Sequence, residues 1–254
     1  MGWWTKRRHR KILEAPFPSA WRGILERNVP VVARLDEGER KTLEDRVQVF
    51  VTEKNFEGCG GLELSDEVRV TVAGQACLLL LHLDEEEEVF PTVESVLVYP
   101  SAYRVPDVHR PGGIVVDEDA RLGEAWQEGT VVLAWDDVLR SARAVNARHN
   151  LVVHEFAHAL DQEDGAADGA PVLPQRSMYG AWARVLGAEY DQLAEDIRDG
   201  HRASIDAYGA TNPAEFFAVV SEAFFGRPRE LRSTHPELYA QLQAFYRQDP
   251  AARI

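Results

Sequence analysis

The chain has 254 residues, with 28 Lys and Arg against 42 Asp and Glu, so its formal net charge is −14. Hydrophobic residues make up 45% and charged residues 28%, which is typical of a globular protein and excludes a disordered or fibrous chain. The negative balance disfavours direct nucleic-acid binding, and two cysteines exclude both a disulfide framework and a four-cysteine zinc site.

The N-terminal segment is basic, with five Lys or Arg side chains between residues 6 and 11. No apolar segment follows it, as a secretory signal would require. The longest apolar run, residues 76–81, is far below the roughly 18 residues of a membrane span. We therefore expect a soluble, cytoplasmic protein without a membrane partner. The favoured interpretation of the basic segment is a solvated terminus. The alternative is contact with anionic lipid or nucleic acid.

The first third of the chain is predicted to be helical. A short helix over residues 19–27 precedes a longer one over 36–50, where an aspartate can cap the start and apolar residues recur at helical spacing. The glycine-rich segment 55–61 predicts a turn-rich connector. Another helix opens at residue 65 and runs toward residue 82. Five consecutive acids at 84–88 indicate a solvated loop tip rather than a cation site.

The rest of the chain combines strands and helices. The β-rich segments are 95–99, 114–116 and 130–135. The segments with a helical pattern are 136–142, 146–164, 177–198, 213–225 and 235–246, with a loop at 165–174. A small sheet beside many helices indicates an α+β fold. Without a Gly/Ser-rich linker, we expect a single domain over 1–254, with a helical part over 1–90 and the site-bearing core over 91–254.

The strongest motif is H-E-x-x-H, formed by His154, Glu155 and His158 within an apolar helical segment. Residues four apart lie on one helix face, so the two imidazoles can bind one metal ion. Neutral imidazole suits Zn²⁺, which in catalytic sites has three protein ligands and one water. The motif predicts a zinc site, with Glu155 directed at the water rather than at the metal. Two hydrogen-bonded core histidines are the structural alternative.

The third ligand is ambiguous from the residues alone. Asp164 has the spacing of the third ligand in H-E-x-x-H-x-x-G-x-x-(H/D) enzymes, but Asp161 replaces the glycine. The stronger candidates are Glu215 and Glu222, seven apart on one face of a later apolar helix. Glu215 also fits position N3 of a capping box that begins at Asn212. These alternatives stay open at this point.

Several segments together resemble one family. HEFAHALD, YGATNPAEFFAVVSEAFF and GEAWQEGTVVLAWDDVL resemble the Mlc titration factor A family of gluzincin-type zinc metallopeptidases, and LSDEVR fits as well. The second segment also resembles the peptidase domain of anthrax lethal factor. The resemblance implies a zincin-like fold, mainly helical with a small mixed sheet whose edge strand borders the active-site helix. It also implies that Glu215 is the third zinc ligand and that Tyr208 assists catalysis, which leaves Glu222 a supporting or structural role.

The resulting hypothesis is a zinc-dependent peptidase. Zn²⁺ held by His154, His158 and Glu215 would activate a water, Glu155 would act as general base, and Tyr208 would help to stabilise the oxyanion. The strand over 129–135 either pairs with a peptide substrate or is an ordinary buried strand.

Two functions from different classes follow from the resemblance. Members of the family are described as peptidases with aminopeptidase-type activity and as proteins that bind the glucose-responsive repressor Mlc. We therefore expect a peptide substrate, and a Mlc-like repressor of sugar uptake as a second partner. The alternative is a non-catalytic binding protein that sequesters a transcription factor. The intact Glu155 favours an enzyme, because a scaffold does not require that residue.

Overall fold

The computed structural model describes residues 2–83, 88–101, 129–143 and 148–253. Its helices are α1 Trp3–Leu13, α2 Ser19–Asn28, α3 Glu37–Glu53, α4 Asp66–Leu79, α5 Trp135–Arg143, α6 Leu151–Asp161, α7 Tyr179–Arg198, α8 Pro213–Gly226, α9 Pro228–Thr234 and α10 Pro236–Tyr246. Its strands are β1 Asn55–Gly58, β2 Ser95–Tyr99 and β3 Thr130–Ala134. Among these helices, none is both long and apolar enough to cross a membrane. These described residues are mostly helical with a small three-stranded sheet, which is consistent with the predicted α+β class.

Most predicted helices are confirmed, and their ends have local causes. The Asp36 side chain accepts a hydrogen bond from the Glu39 N–H, and the Glu39 carboxylate accepts one from the Asp36 N–H, which completes a capping box at the start of α3. The helix predicted from residue 146 begins only at Leu151, because Asn150 is extended and caps it. Helix α1 was not predicted.

The described sheet has the order β1-β2-β3, and both pairings are parallel. The described part of the sheet is therefore parallel, and the mixed sheet stays a prediction. The connection from β1 to β2 runs through α4, and such a crossover is what allows neighbouring strands to be parallel. The connector predicted over 55–61 is wrong in part, because residues 55–58 form β1. The predicted strand at 114–116 and four of the acids at 84–88 lie outside the described residues.

Helix α6 lies at the centre of the protein. Every residue from Val152 to Asp161 is buried, because α4, α8 and β3 surround the helix. The Phe156 ring contacts the rings of Phe50 and Phe90, with centroids 5.5 and 4.7 Å apart. The buried core thus includes side chains from both the 1–90 and the 91–254 parts. That residues 1–254 form a single domain stays a prediction.

A tight turn after α6 fixes how α8 approaches it. Gly169 has a φ of +78°, and a Cβ there would lie 2.4 Å from the Pro213 carbonyl oxygen at the start of α8. Its N–H donates to the Asp161 carboxylate at 2.9 Å, and its carbonyl accepts from the Trp182 indole at 3.0 Å. This glycine therefore connects α6, α7 and α8 within one turn. The connection places the first turn of α8 beside the face of α6 that carries His154 and His158.

Candidate metal centre

The two histidines of the motif point into the same space. His154 and His158 lie one turn apart on α6, and their side chains are about nine-tenths buried. Their ring centroids are 4.9 Å apart and their Nε2 atoms are 3.3 Å apart. The helix that carries them is capped by Asn150, whose side-chain oxygen accepts from the Val153 N–H at 3.1 Å. The i,i+4 geometry predicted from the sequence is therefore present.

Helix α8 brings Glu215 to these histidines. Its carboxylate Oε2 lies 3.1 Å from His154 Nε2 and 3.4 Å from His158 Nε2. The Asn212 side chain caps α8 by accepting from the Glu215 N–H at 2.9 Å. Glu215 thus occupies the N3 position that the capping interpretation gave it, but its carboxylate faces the imidazoles. The two interpretations describe the backbone and the side chain of the same residue.

These three groups fit a tetrahedral metal ion. The two Nε2 atoms and the Glu215 Oε2 form a triangle with sides of 3.1, 3.3 and 3.4 Å. An ion with ligand atoms at 2.0–2.1 Å in tetrahedral order separates any two of them by about 3.3–3.4 Å. The Glu215 Oε2 is also buried, and the groups that face it are the two imidazoles. Among the described residues, this is the one His/Cys/Asp/Glu group whose ligand atoms converge in this way.

The electrostatics of the site also favour a cation. Burial lowers the pKa of His154, but hydrogen bonds with Glu215 and Glu222 outweigh it and raise that pKa to about 10. Burial raises the pKa of Glu215, but its hydrogen bonds with His154 and His158 lower it to about 2. The Glu215 and Glu222 carboxylates therefore favour positive charge beside His154. A metal ion supplies that charge while the imidazoles stay neutral.

Glu222 holds the first histidine in position. Its Oε1 accepts from His154 Nδ1 at 2.7 Å, on the ring nitrogen opposite the one that faces Glu215. Its Oε2 accepts from the Asn150 N–H and lies 2.8 Å from His149 Nδ1. The hydrogen bond between Glu222 and His149 raises the pKa of His149, although burial acts in the opposite direction. Glu222 thus ties His154 to the start of α6, an arrangement common around metal-binding histidines.

We expect the Glu222→Gln variant to bind its metal about 10–100-fold more weakly than the unchanged protein, because a neutral amide holds the His154 ring less firmly. A titration against a competing chelator measures this affinity. The control is Glu237→Gln, which alters an exposed ion pair with Arg184 on the surface. An unchanged affinity for Glu222→Gln would show that this carboxylate is structural only.

The two predicted catalytic residues lie beside this centre. Glu155 follows His154 on α6 and is 4% exposed. Tyr208 belongs to the short 3-10 helix Ala207–Ala210, and its ring centroid is 5.9 Å from that of His154. Its side chain is 37% exposed, so the tyrosine borders the site on the solvent side. The structure therefore gathers all five predicted site residues, although their roles stay predictions.

Sequence reasoning assigned nothing to His235, which helps to hold the segment before Tyr208. The His235 Nε2 lies 2.6 Å from the Ser204 hydroxyl, and its Nδ1 lies 2.7 Å from the Glu189 carboxylate. This network ties residue 204 to α7 and to the start of α10. No spacing pattern could have found it, because the three residues come from separate segments.

The alternatives for the nearby acids are now separated. Asp164 is exposed, and its carboxylate accepts from the Ala166 N–H, so it is not grouped with the histidines. Asp161 is fully buried at the end of α6, and its carboxylate accepts from the Gly169 N–H. Burial raises the pKa of Asp161 to about 6, although the Gly169 N–H bond acts in the opposite direction.

Comparison with known proteins agrees with this centre. The chain matches the family of glucose-regulated metallo-peptidase M90 over residues 3–247. The chain belongs to this M90 family. An uncharacterized protein of Synechocystis sp. is 39% identical over 250 residues, covering 97% of this chain and 90% of that protein. The Mlc titration factor A of Klebsiella pneumoniae is 38% identical over 230 residues, covering 89% of this chain and 85% of its own length.

Another Mlc titration factor A, from Escherichia coli O1:K1, is 34% identical over 251 residues, with 96% of this chain and 92% of that protein covered. The resemblance to the Mlc titration factor A family is therefore confirmed. Membership of the M90 metallo-peptidases implies a metal ion, and the His154, His158 and Glu215 group is where the described structure can hold one.

Proposed function

We propose that this M90 protein is a zinc-dependent peptidase with a zincin-like active site. The observation that carries the proposal is the triangle of two imidazole nitrogens and one carboxylate oxygen, whose sides match a tetrahedral site. Two nitrogen ligands and one carboxylate are the set found in catalytic zinc sites, which keep a fourth position for water or substrate. His154, His158 and Glu215 would therefore hold Zn²⁺.

The remaining chemistry belongs to the protein side chains. When bound, the ion would act as a Lewis acid that polarises a carbonyl and increases the acidity of water. Glu155 would take a proton from the attacking water and later give it to the leaving amine. The Tyr208 hydroxyl would donate a hydrogen bond to the oxyanion of the tetrahedral intermediate. Glu222 would keep the His154 ring in its orientation throughout.

The sheet supports a peptide as the substrate. Strand β3 is at one edge of the three described strands and contacts α6. An extended peptide can add to such an edge by backbone hydrogen bonds, which gives affinity with little dependence on side chains. We propose that β3 binds the substrate in this way and that short peptides are cleaved with aminopeptidase-type preference.

A regulatory role is supported by a different observation, the relatives named Mlc titration factor A. We propose that a Mlc-like repressor is a second partner of this chain. The alternative is a non-catalytic protein that only sequesters such a repressor. In that case the protein would bind the repressor and hydrolyse no peptide. Capture of a purified repressor by the Glu155→Gln variant would separate binding from chemistry.

The proposed activity is tested by metal analysis and a peptidase assay on the same preparation. We expect about one zinc per chain and hydrolysis of chromogenic aminoacyl or short peptide substrates. Removal of the metal by a chelator should abolish the hydrolysis, and addition of Zn²⁺ should restore it. Protein that neither contains nor takes up a divalent cation would contradict the proposal.

Tyr208→Phe should lower kcat by about 10²–10³-fold and leave zinc binding unchanged, because it removes one hydrogen-bond donor from the oxyanion. Steady-state kinetics and metal analysis check the two parts. Tyr179→Phe is the control, since Tyr179 has the same 37% exposure but lies at the start of α7. An unchanged kcat would mean that the Tyr208 hydroxyl takes no part in the reaction.

A further inference from the structure

Helix α1 presents two tryptophans to solvent. Trp3 is 63% and Trp4 is 75% exposed, and their ring centroids are 4.6 Å apart in an edge-to-face arrangement. The guanidinium of Arg7 lies 5.7 Å from the centre of the Trp3 ring. None of the residues of α1 is fully buried. Exposed aromatic area of this size, concentrated in one turn, is typical of a binding surface rather than of a solvated helix.

The same face of α1 is strongly cationic. Residues 3–13 contain five Lys or Arg and no Asp or Glu, in a chain whose net charge is −14. At 100° per residue, Arg7, Arg10 and Lys11 fall on the same side of the helix as both tryptophans, and all three are exposed. We call this face, formed by Trp3, Trp4, Arg7, Arg10 and Lys11, the α1 outer face.

The opposite side of α1 holds the helix on the protein. The Thr5 hydroxyl donates to the Glu88 carboxylate at 2.9 Å. The Glu53 carboxylate lies 2.6 Å from Arg8 Nε and 3.0 Å from His9 Nε2. The helix thus has a fixed inner side, packed on α3, and its outer face points away from the protein.

We infer that the α1 outer face binds the surface of a bilayer that contains anionic phospholipid. Tryptophan prefers the headgroup level of a bilayer, where its ring is half apolar and its N–H can reach water. Lys and Arg beside it are attracted by anionic headgroups. An 11-residue helix is about 16 Å long, so it would lie along the interface and could not span it. The contact is peripheral and reversible.

The acidic remainder of the chain makes this contact dependent on salt. Charges farther away than about 8 Å are largely screened at physiological ionic strength, so the nearby cationic face dominates there. At low ionic strength the whole acidic protein is repelled, while at high salt the attraction of the α1 outer face is lost as well. A lipid surface is favoured over duplex nucleic acid because the two tryptophans can enter the headgroup level of a bilayer, whereas binding to duplex phosphates uses only the charges.

The test measures binding of the full chain to vesicles of phosphatidylcholine alone or with phosphatidylglycerol. We expect sedimentation with the anionic vesicles only, with quenching of tryptophan fluorescence by brominated lipid. Two variants, W3S/W4S and R7S/R10S/K11S, should each lower the affinity at least about tenfold. The matched controls, V172S/I197S and R176S/R198S/R229S, change the same numbers of exposed apolar and basic side chains elsewhere and should bind as the unchanged protein does.

Equal affinity of the α1 variants and the controls would overturn the inference, as would binding to neutral vesicles alone. Preferential binding to duplex DNA or transfer RNA, lost in the α1 variants, would overturn it in favour of a nucleic-acid surface. The inference is independent of the proposed peptidase, because Glu155→Gln should bind the vesicles as well as the unchanged chain.

Discussion

The Glu155→Gln variant is expected to bind about one zinc ion, as the unchanged protein does, and to lose about 10²–10⁴-fold in kcat/KM for peptide hydrolysis. Glu155 follows the first histidine on α6 and is buried beside the centre, yet it is absent from the group of converging ligand atoms. A glutamine there keeps the size of the side chain but cannot accept a proton. Metal analysis and steady-state kinetics on one preparation measure both effects.

The control for this variant is Glu195→Gln, an exposed glutamate on α7 whose loss of charge should change neither property. Thermal unfolding of both variants would show that the fold is intact. If Glu155→Gln kept its activity, the general base would be another group. If the variant lost its metal, Glu155 would instead be a ligand or would support one.

The candidate metal centre could be predicted from the sequence because two of its three proposed ligands lie close together in the chain. His154 and His158 are four residues apart within an apolar segment, and a helix is the structure that such a segment forms once it is buried. Their convergence therefore follows from helical geometry alone. Glu215 is more distant, and residue patterns left it beside Glu222 as an equal candidate. The resemblance to a family chose between them, and the contacts of the Glu215 carboxylate agree with that choice.

What the sequence could not predict depends on contacts between distant segments. The strand β1 was taken for a turn-rich connector because its four residues, NFEG, carry little β propensity. The backbone pairing with β2 outweighs that preference. His149 and Glu222 are 73 residues apart, and no spacing rule joins them, but the packing of α8 on α6 brings them to 2.8 Å. Parallel pairing likewise follows from the crossover rather than from any one strand.

Glu215 and Glu222 have different proposed roles, so substituting each should affect zinc binding to a different extent. The larger effect is expected for Glu215→Gln. We expect this variant to lose both metal and activity. Glu215 supplies the one carboxylate of the triangle, and its removal leaves two imidazoles, 3.3 Å apart at Nε2, as ligands. Zinc affinity, measured against a competing chelator, should fall by more than the roughly 10–100-fold expected when only a supporting residue such as Glu222 is changed.

Asp164→Asn is the matched control for this experiment, because Asp164 was the other residue with a third-ligand spacing. Its carboxylate binds the Ala166 N–H at the surface, so the variant should keep its zinc and its activity. Loss of zinc in Asp164→Asn together with its retention in Glu215→Gln would reverse the ligand assignment. Retention of zinc in Glu215→Gln with loss of turnover would place Glu215 among the residues that act on the substrate. If zinc were lost in Glu215→Gln but kept in Asp164→Asn and Glu155→Gln, Glu215 would be the third ligand. Glu155 would then be the base, as the proposed mechanism requires.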